Sequence, residues 1–183
     1  WKATACRLAA PTTIRRDVVL ERKAQAFGMG VSSFVHGNGR HYWLDENAPS
    51  NLPWKPLDSD IVAERETQGF AAGGGRGIVL RFGLFYAADA ASTIDTVKLA
   101  RRKMFGVIGD GRNYFSSINV EDAATAVAAS INVPTGIYNV VEDEPSTQEA
   151  YAGPTHDAFH PGKPPPVPKW PADPGPRRPA RAT

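Results

Sequence analysis

Cysteine is nearly absent from this sequence: its 183 residues include one, Cys6. That excludes an intramolecular disulfide framework and fits a reducing compartment. Cys6 lies between Ala5 and Arg7 and reads as a small buried apolar residue. No apolar run approaches the roughly 18 to 20 residues of a membrane span, so no membrane is expected as a partner. A secretory signal pattern and an Asn-x-Ser/Thr sequon are both lacking, and the expected location is the cytoplasm. Strong charge of one sign is lacking too, the net being +2. No basic face interleaved with aromatics appears, so nucleic acid is not expected as a partner either.

What is present is an average globular composition, 42% hydrophobic and 22% charged. Proline is unevenly placed, with ten of the sixteen after residue 150. From Tyr151 onward five Lys/Arg face two Asp/Glu, so the small basic excess sits in that segment. Charged positions interleaved with Ile14, Val18, Val19 and Phe27 predict an amphipathic helix over 12–27, stopped by Gly28. Residues 31–36 predict a buried strand and 40–57 a long surface loop. A helix is predicted over 59–69, with Ser59 as its N-cap. The near-continuous apolar run 78–86 is the pattern of a parallel strand covered on both faces. A helix over 93–104, a strand over 105–108, a helix over 123–131 and a strand over 137–141 follow. Glu121 and Asp122 stand at the positive end of the third of these. Periodicity stops after Glu149, and beyond Pro154 too few apolar groups remain to offset ordering entropy, which predicts disorder. The alternation of strands and helices predicts an α/β domain with a mainly parallel sheet over 1–150 and a disordered Pro-rich tail over 151–183.

Three glycine clusters invite comparison with a phosphate-cradling loop, which needs Gly-x-Gly-x-x-Gly between a strand and a helix. Gly28-Met-Gly30 is followed by Ser33 where the last glycine belongs, Gly73 to Gly77 by Ile78, and Gly109-Asp-Gly111 by Tyr114. All three read as turns. The histidine pairs His36/His41 and His156/His160 lack the further ligands of a metal site, and no metal is expected.

Three co-linear segments carry a resemblance: Val79-Leu-Arg-Phe-Gly-Leu-Phe-Tyr86, Ile118-Asn-Val-Glu-Asp-Ala-Ala124 and Gly136-Ile-Tyr-Asn-Val-Val-Glu-Asp-Glu-Pro145. They resemble the C-terminal half of the NAD-dependent epimerase/dehydratase family, the extended or atypical short-chain dehydrogenases/reductases. The resemblance implies a Rossmann-like, mainly parallel sheet with flanking helices whose N-terminal strands are missing here. It also implies NAD or NADP as cofactor and a nucleotide-sugar-type or other small-molecule substrate. In that family a Tyr-x-x-x-Lys pair, one helical turn apart, moves the proton. Registering the helix on Glu64 puts Pro56 at the tyrosine position and Asp60 at the lysine position; registering it on Glu66 gives Asp58 and Val62. Neither register supplies the pair. The family's Ser/Thr position falls on Asn38, the one catalytic position carried over. Gly83 and Tyr86, near the carboxyl edge of their strand, are the expected cofactor-facing residues. Ala87-Ala88 replaces the Gly-Pro that usually follows. The resemblance thus implies a truncated, catalytically impaired oxidoreductase- or isomerase-like protein. Its alternative is a non-catalytic cofactor-sensing or scaffold protein on the same fold.

Overall fold

The computed structural model describes residues 25–36, 39, 42–49, 58–108, 110–160 and 166–167. Strand β1 (Ala26–Ser32) runs into a 3-10 turn at Ser33–His36. Helix α1 (Asp58–Ala72) leads through glycines to β2 (Arg76–Phe82) and, one residue later, β3 (Leu84–Tyr86). Next come α2 (Ala91–Arg101), β4 (Val107–Ile108), β5 (Tyr114–Phe115) and β6 (Ser117–Asn119). The chain continues through α3 (Val120–Ala129), β7 (Gly136–Val140), β8 (Ser146–Thr147), α4 (Gln148–Asp157) and β9 (Pro166–Val167).

The largest sheet is parallel, in the order β1-β2-β7. β2 is its middle strand and is buried along nearly its whole length, which is why its sequence is apolar on both faces. Ile78, Leu80 and Phe82 point one way and form a core with Ile118 and Ala123. Val79 and Arg81 alternate to the other face, where α1 buries Glu64, Thr67 and Phe70. Gly77 lets the helix approach: a Cβ there would stand 2.4 Å from the Thr67 carbonyl oxygen. Among the described residues, no helix is long and apolar enough to cross a membrane.

Several elements differ from the sequence reading. Ala26 and Phe27, placed at a helix end by amphipathic spacing, belong to β1, because pairing with Arg76 and Gly77 outweighs local pattern. The rest of that helix lies outside the described residues. Residues 33–36 form a 3-10 turn instead of continuing a strand. Ser59 is inside α1, not at its cap, since the helix already includes Asp58. The single strand over 78–86 is two. Gly83 parts them, its amide donating to the Val140 carbonyl at 3.2 Å while β3 turns to pair with β6. α3 starts three residues earlier, at Val120, with Glu121 and Asp122 in its first turn and Asn119 as its cap, the Asn119 Oδ1 accepting from the Glu121 amide at 2.8 Å.

The largest departure is at the C-terminal side. Periodicity was expected to end at Glu149, yet α4 continues to Asp157 and contains Pro154. Thr147 caps it by accepting from the Ala150 amide at 3.2 Å. Ala152 and His156 are buried beneath it. Tertiary burial therefore sustains a helix whose sequence looks weak, and residue 150 falls inside an element instead of between two. Two residues of the Pro-rich segment, β9, pair in parallel with β4. Residues 161–165 and 168–183 lie outside the described residues.

Candidate functional site at the carboxyl edge of the sheet

In open α/β sheets ligands bind outside the carboxyl ends of the strands. Here those ends bring together a carboxylate with two hydroxyls, an acid at the start of α1, and a buried arginine cluster. Glu142 leaves β7 by two residues. One of its carboxylate oxygens accepts from the Tyr86 hydroxyl, and Oε2 accepts from the Ser117 hydroxyl at 2.5 Å. Its amide donates to the Ser117 carbonyl at 2.9 Å. The hydrogen bond to Glu142 raises the Tyr86 pKa above its ordinary value. Burial and the Glu142 charge add to this, and Asn119 opposes it. Tyr86 is therefore held as a neutral phenol, the opposite of a tyrosinate base.

The acid at α1 is Asp60, whose Oδ2 accepts from the Ser32 amide at 3.0 Å, at the end of β1. Burial raises its pKa, the Ser32 amide works against that, and the Glu64 charge adds to it.

The third group centres on Arg81. Its Nε and Nη2 donate to the two oxygens of Glu64, both at 2.8 Å, and the side chains are 3% and 9% exposed. Its Nη1 meets His36 Nε2 at 2.9 Å and donates to the Glu46 carbonyl at 3.2 Å. Asn139 of β7 donates its amide to Glu46 Oε1 at 2.8 Å.

Of the residues singled out in the sequence, Gly83 lies against Ser117 at one end of β6 and Tyr86 pairs with Asn119 at the other. A Cβ on Gly83 would stand 2.8 Å from the Ser117 carbonyl carbon, so this position also serves close strand approach. Asn38, like Pro56 and His41, lies outside the described residues. Of the glycine clusters read as turns, Gly28-Met-Gly30 is no turn but part of a strand, and Gly73 to Gly75 close the end of a helix. Gly73 and Gly75 donate back to the carbonyls of Gly69 and Phe70 at the negative end of α1, with Gly74 at φ +90°. Gly28 and Gly30 are inside β1. His156 and His160 have ring centroids 5.6 Å apart. Among the described residues no group of three or more His, Cys, Asp or Glu could hold a metal ion. Glu142, Ser117 and Glu46 were missed as site residues. An acid directly after a short apolar parallel strand is the signal that points to Glu142.

No family model and no curated protein matches the sequence. Solved structures do. A UDP-glucuronic acid 4-epimerase from Bacillus cereus, in complex with NAD, aligns with a TM-score of 0.71 at 12% identity, over 84% of this chain and 53% of that one. A UDP-N-acetylglucosamine 4-epimerase from Methanobrevibacter ruminantium, bound to UDP-N-acetylmuramic acid, gives 0.69 at 16%, over 86% and 54%. A dTDP-glucose 4,6-dehydratase from Bacillus anthracis with NAD gives 0.66 at 17%, over 85% and 53%. The chain spans about half the length of these structures. At such identities the likeness is one of fold: this chain has the Rossmann-like fold, a parallel sheet with flanking helices, of the NAD-dependent epimerases and dehydratases.

Proposed function

We propose that the chain is an NAD(P)-dependent epimerase/dehydratase- or reductase-like protein, related to enzymes of nucleotide-sugar-type or other small-molecule substrates, and catalytically impaired. In this reading it represents the C-terminal half of such a domain, the body expected over 1–150 being carried through α4 to Asp157 into the Pro-rich segment expected over 151–183, and it works in the cytoplasm. The fold neighbours, crystallised with NAD and with UDP-linked ligands, support the class. The observation that carries the impairment is Asp60. In the register on Glu64 it takes the family's lysine position (Val62 takes it in the register on Glu66); tied to the Ser32 amide, a carboxylate there can neither lower a tyrosine pKa nor anchor a phosphate-bearing cofactor.

The described residues fit the cofactor only in part. Gly83 and Tyr86 border the carboxyl edge where a nicotinamide would lie; Asn38, which the sequence register alone assigns to the Ser/Thr position, is outside the described residues. No described glycine turn meets a phosphate at a helix N-terminus. Calorimetric titration of the purified chain with NAD and with NADP is expected to show no micromolar binding. Micromolar binding with turnover of a UDP-sugar overturns the impairment. Micromolar binding without turnover favours the second reading, a cofactor-sensing or scaffold protein on the same fold. That reading is supported by Glu142, whose two oxygens are both engaged by protein hydroxyls and which holds Tyr86 protonated.

A further inference from the structure

Residues 42–49 cross the sheet near the ends of β2 and β7. Within the loop, the Ala48 amide donates to the Asp45 carbonyl at 3.1 Å and the Asn47 amide to Asp45 Oδ1 at 3.0 Å. Three bonds fasten the loop to the sheet. Arg81 Nη1 donates to the Glu46 carbonyl, the Asn139 amide donates to Glu46 Oε1, and Asn139 Nδ2 donates to the Leu44 carbonyl at 3.3 Å. The first uses the same guanidinium nitrogen that touches His36 Nε2. A guanidinium only donates, so Nε2 must accept, and His36 is the neutral tautomer with its hydrogen on Nδ1. That Nδ1 and Asn139 Oδ1 are both buried, and the ring faces Asn139 and the Ala48 carbonyl of the loop.

We propose that residues 42–49 form a strap, that its fastening at Arg81 Nη1 is a latch beside the two bonds from Asn139, and that a proton on His36 undoes this latch and loosens the strap. Protonated His36 turns its Nε2 from acceptor to donor and sets a second cation against the guanidinium. Arg81 is fixed by its two bonds to buried Glu64. The weaker bond, to the Glu46 carbonyl, is the one that yields. The groups facing His36 are Arg81 from β2, Glu64 from α1, Asn139 from β7 and the Ala48 carbonyl from the strap. Burial first and Arg81 second lower the His36 pKa below its ordinary 6.5, while Asn139, Ala48 and Glu64 oppose them. The fold therefore binds fewer protons here than the open chain does. The closed state is favoured above pH 6.5 and loses that advantage as pH falls through the folded value. Asp60, on the Ser32 amide, has a raised pKa and the opposite sign, gaining stability as pH falls toward its ordinary 3.8.

Hydrogen exchange of the full chain, read by mass spectrometry and corrected for intrinsic pH dependence, tests the latch. Exchange over 42–49, measured relative to β2, is expected to rise about tenfold between about pH 7.5 and about pH 5.5. His36→Gln, which cannot titrate, is expected to keep the strap closed at both values. Glu46→Gln and Asp60→Asn are expected still to open with acid. The proposal is overturned by a strap indifferent to pH, by a His36→Gln chain that opens like the parent, or by loss of opening in either control. Should His36→Gln fail to fold, the parent's His36 imidazole resonances decide. A titration midpoint matching the opening supports the latch, and separated midpoints overturn it.

Discussion

A guanidinium taken out of water must be paired, and Arg81 shows how this domain does it. Its two bonds to Glu64 span the gap between β2 and α1, with both side chains almost fully covered. Such a pair contributes little compared with an apolar substitute, yet removing one partner strands the other charge. Glu64→Leu is expected to cost about 3–5 kcal/mol in urea denaturation. The double change Glu64→Leu with Arg81→Met is expected to recover most of that loss. Equal losses in the single and double variants would show that Arg81 finds another counter-charge. The sequence exposes Arg81 as a charge inside an apolar run and Glu64 as a register mark on a helix. It does not expose their meeting, because the two lie on different elements and only the seating of α1 on β2 joins them. The same holds for Glu142, whose hydroxyl partners come from β3 and β6. Gly83 and Tyr86 are legible as edge residues because an apolar parallel strand announces where its carboxyl end lies.

Among the elements, long patterned ones are readable and short ones are not. β2 and α3 follow from a near-continuous apolar run and an alanine-rich stretch. The break at Gly83 does not, since it arises from the close approach of Ser117. α4 has too little amphipathic pattern of its own to be recognised, and it contains a proline. What holds it is contact with α2, β4, β5 and β8, together with the Thr147 cap. Thr147→Ala is expected to lower stability by about 1 kcal/mol, seen as a lower Tm. An unchanged Tm would place α4 outside the cooperative unit. Burial of Ala152 and His156 argues that it belongs inside.

For the molecule as a whole, the sheet's margins matter most. Among the described residues β1 has a strand neighbour on one side only. Unpaired edges invite another chain. Sedimentation is therefore expected to show concentration-dependent association, reduced by Gly28→Lys. Gly28 is exposed, and a side chain there meets nothing within 4 Å. An association constant unmoved by this change would mean that β1 is not the contact. The opposite margin is different, because at Asn139 the outward amide of β7 already has Glu46 as its acceptor. With β1 unpaired on one side among the described residues and the Asn139 amide of β7 engaged, two copies meeting β1 to β1 would satisfy each other and stop, giving a terminating twofold pair. In such a pair Glu46 would act as a chain terminator, and freeing the Asn139 amide would open the second margin to a propagating array.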